Sequence, residues 1–256
     1  MKESSPRYVT GAVEGLLDEA VLRRLVSEAN GELVEVHGKR GKAHLASRLK
    51  AFNNAAQRDR WIVLMDLDDE RDCPKFRRSM LRKPSLFMCF RIVVREIETW
   101  LLADRERIAA FSAIPISKVP RNPESIIRPK EFLIDLARKS RSRQIRSDLV
   151  PEPGSGRTEG PTYTGRLTEF VQDQWRPDEA EKYSESLRRC RRRLQELIDG
   201  YKWKNLHHSG AGRSRLQKVH KAKRYPTEPT PRRTARRPQI TGFSNQAGST
   251  MIGCGW

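Results

Sequence analysis

Four cysteines are scattered over 256 residues at Cys73, Cys89, Cys190 and Cys254, and none stands in a CxxC pair. The five histidines do not complete a zinc spacing with them, so a disulfide framework and a zinc finger are both disfavoured. A reducing cytoplasm is the simplest expectation. No run approaches the ~18 apolar residues of a membrane span. The first seven residues are polar and lack the apolar core of a signal peptide. Hydrophobic residues make up only 36%, below the usual range for a globular chain, so part of the sequence is expected to stay unpacked.

Charge, by contrast, is abundant. The formal net charge is +19, from 51 Lys and Arg against 32 Asp and Glu. Residues 201–256 hold twelve bases and one acid, Glu228, together with Pro226, Pro229, Pro231 and Pro238. Such a composition buries too little surface to offset chain entropy, so a disordered basic tail is expected. It can hold nucleic acid by counterion release, or it can simply be solvated. The run Arg188–Arg193 lies on a predicted helix. Leu187, Cys190, Leu194, Leu197 and Ile198 form its apolar stripe, which leaves the arginines as a solvated face.

Periodicity predicts an α/β fold. Residues 8–13 read as a strand ending in Glu14-Gly15, and residues 16–29 as a helix closed by Gly31. Residues 33–36 alternate like a strand, and 42–56 return to helical spacing. The continuous apolar runs at 61–65 and 87–94 are those of strands buried on both faces. A short irregular piece separates them, and a helix follows at 96–111 with Trp100 inward. Alternating strands and helices argue for a mostly parallel sheet flanked by helices. Further helices at about 129–140, 162–175 and 177–199 predict a helical C-terminal half. The expected organisation is an α/β domain over 1–112, a helical extension packed on it over 113–200, and the tail at 201–256.

In parallel sheets, ligands bind beyond the carboxyl ends of strands. Two predicted strands place acids there: Glu14 after the first, and Asp66, Asp68 and Glu70 after the third. Residues two apart in extended chain share a side, so these acids are expected to converge. Crowded carboxylates suit Mg²⁺ or Mn²⁺, which bind phosphate oxygens and promote phosphoryl transfer. The alternative is a set of helix caps and solvated charges. In "REIETW", Glu98 is a further candidate ligand and Arg95 a candidate phosphate contact, against a plain helix start. In "HGKRGKAHL", Lys42 and the glycines offer an anion site or merely an exposed basic turn. "PGSGRTEGPTYTGR" reads as a closing loop carrying Arg157 and Arg166, or as a glycine-rich connection capped by Thr162 or Thr164. His37 and His44 read as packing or surface residues, and no Ser-His-Asp or Cys-His arrangement is legible.

"AVEG" and "LMDLDDE", closing the first and third strands, resemble the TOPRIM fold of topoisomerases, primases, recombination mediators and overcoming-lysogenization-defect nucleases. The resemblance implies that Glu14 is the general acid/base and that Asp66 and Asp68 bind Mg²⁺. Glu70 would be a third acid where that pattern often has Asp. Over roughly residues 9–198, "GKAHLASRLKAFNNAAQ", "WIVLMDLDD" and "CFRIVVREIETWLLADRE" resemble a bacterial family of TOPRIM-like proteins known as a domain of unknown function. By resemblance, a metal-dependent nuclease acting on DNA or RNA is expected, with an ATPase as a partner protein. A TOPRIM module that binds nucleic acid without cleaving it is the alternative. A haloacid-dehalogenase-type phosphatase, with Asp66 as nucleophile, ranks third, because there the DxD follows the first core strand.

Overall fold

The computed structural model describes residues 7–200. The expected disordered tail at 201–256 lies outside the described residues. Four strands form one all-parallel sheet: β1 Tyr8–Val13, β2 Glu32–Gly38, β3 Trp61–Asp66 and β4 Met88–Val93. Their order is β2-β1-β3-β4. The first half adds α1 Leu16–Glu28, α2 Lys42–Ala55, α3 Cys73–Met80, α4 Glu98–Ala103 and α5 Arg105–Phe111. The second half adds α6 Pro129–Arg138, α7 Arg143–Leu149, α8 Tyr163–Asp173, α9 Pro177–Ala180 and α10 Glu185–Asp199. The expectation of a parallel sheet covered by helices holds. No described helix is long and apolar enough to cross a membrane.

Period-two alternation divides the core between the sheet's faces. Ile62 and Leu64 of β3 face a core built with α1 and the C-terminal helices, while Trp61, Val63 and Met65 face α2 and α3. Both faces are covered, so β3 reads as uninterrupted apolar sequence. Trp100 is fully buried, as its helical spacing predicts. Its indole donates to Ser186 Oγ at 2.8 Å, and its carbonyl accepts from Trp175 Nε1 at 3.1 Å. The α10 stripe of Leu187, Cys190, Leu194, Leu197 and Ile198 is buried, leaving the arginines outward.

Several boundaries differ from the periodicity. The expected irregular piece before β4 contains α3, a helix of only eight residues in which Phe76 alone is buried and Cys73 and Met80 are partly buried beside it. Asp72 caps it by accepting from the Lys75 amide at 2.8 Å. The expected helix over 96–111 breaks at Asp104, whose ψ of 73° leaves the helical region. The expected helix over 177–199 divides into α9 and α10, with Ser184 extended and capping α10 through the Leu187 amide. Helix α7 was not foreseen; Ser142 caps it.

Candidate functional site

The chain runs from β1 to β2 on one side of the sheet and then crosses to β3 on the other. The carboxyl ends of β1 and β3 therefore flank a topological switch point, where parallel sheets open a crevice. The first two predicted acids meet here. Glu14 Oε1 accepts from the Asp66 amide at 2.9 Å, which ties the two strand ends together. The β2–α2 turn holds Glu14 from the other side. Lys39 N donates to Val13 O and Gly41 N to Glu14 O, each at 3.0 Å. That turn requires Gly38: its φ is +90°, and a Cβ there would lie 2.1 Å from Val13 O.

Beyond Asp66 the chain does not continue as an extended strand. Glu70 N donates to Leu67 O at 3.3 Å, closing a turn with Asp68 at φ +53°. Arg95, itself at φ +68°, fastens this turn. Asp68 N donates to Arg95 O at 2.9 Å, and the Arg95 guanidinium donates to the carbonyls of Asp68 at 2.9 Å and Glu70 at 3.2 Å. Two non-glycine residues in left-handed conformation, one on the β3–α3 turn and one on the β4–α4 turn bonded to it, mark stored strain, which concentrates at functional sites. The expected alternation of Asp66, Asp68 and Glu70 on one side is thus corrected. Asp66 and Asp68 border the cleft, while Glu70 is exposed on the turn and does not line it. Arg95 shapes the loop through Nη1, while its Nε is out of solvent without a partner. Lys42 Nζ pairs with Asp68 Oδ2 at 2.7 Å and sits 4.8 Å above the Phe76 ring centroid.

The cleft encloses about 280 Å³, and its lining includes Asp18, Asp66, Asp68, Glu98, Lys130 and Tyr163. Glu98, the first residue of α4, is buried there and accepts from Tyr163 Oη at 3.0 Å. Lys130 Nζ lies 3.9 Å from Glu98 and 3.1 Å from Glu159. Glu96, also in the lining, accepts from the Lys130 amide at 2.8 Å and holds the start of α6. Asp18 is also buried, in the first turn of α1 and four residues after Glu14, and its Oδ1 has no hydrogen-bond partner. Asp66 is half-buried as a residue, yet its Oδ1 is out of solvent and equally unpartnered.

This crowding alters the acids. Burial pushes Glu14 up to about 7, with Asp68 adding to the rise and the Asp66 amide opposing it. Burial, then the charges of Glu98 and Glu14, push Asp18 up to about 7. Asp66 is held well above the usual carboxylate range by burial and by the Asp18 and Glu14 charges. Burial also raises Glu98, against the pull of Lys130. Like charges in a low-dielectric site are neutralised by protons or by a cation.

Oxygen-only donors, two of them buried and unpartnered, fit a hard divalent cation such as Mg²⁺ or Mn²⁺. As their side chains stand, no three His, Cys, Asp or Glu among the described residues form a ready-made ligand group. The fit therefore rests on donor chemistry and unsatisfied oxygens. Asp18, Lys130 and Tyr163 escaped the sequence reading. Asp18 had a signal: an acid at i+4 from Glu14 on the buried stripe of α1, beside Leu17 and Val21. Lys130 and Tyr163 had none, because only tertiary packing brings α6 and α8 to the sheet edge. In the "PGSGRTEGPTYTGR" stretch, Tyr163 and Thr164 line the cleft. Arg166 instead pairs with Asp148 at 2.9 Å, and Thr162 occupies the cap position of α8 without a side-chain capping bond. His37 stacks on Trp61, as a packing residue should.

Compared with protein-family models, with curated proteins and with solved structures, the chain finds no match.

Proposed function

We propose that this chain is a TOPRIM-like, Mg²⁺- or Mn²⁺-dependent nuclease that cleaves phosphodiester bonds of nucleic acid. One observation carries the reading: Asp66 Oδ1 is buried and unpartnered at the switch point among Glu14, Asp18 and Glu98. The TOPRIM resemblance is supported by the strand-end Glu14 lying against the strand-end Asp66.

Asp66 and Asp68 would hold the ion, with Asp18 and Glu98 as further oxygen donors at the same cleft. Bound there, the ion supplies Lewis-acid stabilisation of phosphate oxygens and a more acidic water. Glu14, pushed up to about 7, is suited to exchange a proton near neutral pH with an attacking water or a leaving oxygen. Lys130 brings positive charge to the same wall, held by Glu98 and Glu159. Tyr163 fixes Glu98 through its hydroxyl.

The test is cleavage of labelled single- and double-stranded DNA and RNA with Mg²⁺ or Mn²⁺. Asp66→Asn and Glu14→Gln should each lower the rate by at least 100-fold, on the order of 3 kcal/mol. Undiminished cleavage by both variants would sink the assignment. A second reading, a nucleic-acid-binding module that does not cleave, is favoured by the Lys42–Asp68 ion pair, because an ammonium already neutralises that carboxylate. An ATPase partner belongs to both readings, and co-expression with one would then restore or redirect activity.

A further inference from the structure

Two arginine-rich helices differ in how their charge is answered. On α10, Arg188 and Arg189 pair with Glu185, Arg191 with Glu28 and Glu181, and Arg193 with Glu196. Residues 71–83, which contain α3, carry six bases and one acid, Asp72. Arg71, Lys75, Arg78, Arg82 and Lys83 are exposed and have no ion-pair partner among the described residues. Arg77 is partly buried and donates to Phe90 O at 3.3 Å, which anchors the helix to β4.

We propose that α3 and its flanking turns are a docking surface for the sugar–phosphate backbone of nucleic acid, laid beside the acid cleft. The proposal deepens the nuclease reading and rests on its phosphodiester substrate. Lys42 links α3 to the cleft. Phe76, on the inner face of α3, lies under Lys42, and Lys42 holds Asp68. Arg71 follows Asp68 by three residues, on the turn that Arg95 fastens. A backbone lying along these cations is therefore delivered to the carboxylates. Uncompensated like charges on a short, anchored element repel one another, and a polyanion relieves that repulsion while releasing its own counterions. The helix exposes no large apolar side chain for insertion into a bilayer, since its apolar anchor Phe76 faces inward. That favours phosphates in a polynucleotide over a lipid surface.

The experiment is fluorescence anisotropy with the full-length chain in EDTA, on a labelled duplex and the matching single strand, over a range of salt concentrations. The quadruple variant Arg71→Gln/Lys75→Gln/Arg78→Gln/Arg82→Gln is compared with wild type. The control is Arg188→Gln/Arg189→Gln/Arg192→Gln on α10. Each lost phosphate contact lowers the slope of log affinity against log salt by about 0.9 on duplex DNA. The α3 variant should therefore flatten the slope by roughly 2 to 4 and weaken binding at least tenfold near 0.1 M salt. The α10 control should move it by less than about 1. The reversal Lys75→Glu/Arg78→Glu, with thermal midpoint and Mg²⁺ titration as checks on folding and on the cleft, should weaken binding to a similar degree, because it changes the net charge by as much as the quadruple variant. Equal losses from α3 and α10, or an α3 variant that binds like wild type, overturn the proposal. So does α3-dependent capture of phosphatidylserine vesicles with none of the nucleic acids. If α3-dependent binding survives but wild type never cleaves, the surface stands and the nuclease reading falls. If cleavage survives and binding ignores α3, the surface falls and the nuclease reading stands.

Discussion

Asp104 and Asp66 both place carboxylate oxygens out of solvent, and their surroundings are opposite. Asp104 is 1% exposed and fully answered. It accepts from Arg176 N at 2.9 Å, Nε at 3.1 Å and Nη2 at 2.7 Å, and caps α5 through the Arg107 amide at 3.4 Å. Asp66 has an unpartnered Oδ1, and the groups that act on it most strongly are other acids. The first arrangement explains itself as structure: a buried charge is paired and hydrogen-bonded, and it joins α4–α5 to the start of α9. The second is costly within the protein alone, and a bound cation would remove the cost. The comparison separates an acid that the fold answers from one that it leaves unanswered.

Breaking the structural pair should have the largest effect on stability. Asp104→Ala leaves the Arg176 guanidinium without its main partner and should cost about 3 kcal/mol. For a domain of this size that lowers the thermal midpoint by roughly 6–12 °C. A loss below about 1 kcal/mol would erase the contrast. Metal binding should be unchanged in this variant.

The next effect is a pH dependence confined to the cleft. Folding raises Glu14 and Asp18 to about 7. The stability these groups contribute is complete below their unfolded values near 4 and is lost as pH rises toward 7. The metal-free thermal midpoint should therefore fall between about pH 4 and pH 7. Glu14→Gln/Asp18→Asn should flatten that fall, and saturating Mg²⁺ should oppose it at the upper end. A wild-type profile matching the variant's would show that the crowding is not felt. Smallest is the gain from relieving Asp66. Asp66→Asn should raise the metal-free midpoint at pH 8 by roughly 2–4 °C, about 1 kcal/mol. A clear loss would mean that Asp66 is structural after all.

Much of this was legible in the sequence. Apolar runs without interruption marked β3 and β4, and helical spacing marked α1, α2, α6 and α8. Glu14 and Asp66 could be placed from their strands, because a parallel sheet gathers its strand ends on one edge. The turn after Asp66 could not. Its geometry depends on Arg95, whose guanidinium reaches the loop from the end of β4. Helix α3 was hidden because it is short and only one of its residues, Phe76, is buried. Asp18 was hidden by its neighbours: an acid amid a leucine-rich helix resembles an ordinary first-turn charge until packing shows it buried. Tyr163 and Lys130 belong to helices whose distance along the chain conceals their place at the cleft.

The most direct measurement is a calorimetric titration of Mg²⁺ and Mn²⁺ into the full-length protein at pH 7.5, beside Asp66→Asn and Asp104→Asn. The account predicts binding by wild type and by Asp104→Asn, with proton release as the raised carboxylates give up protons, and loss of at least tenfold in affinity for Asp66→Asn. Binding that Asp66→Asn leaves intact would contradict it.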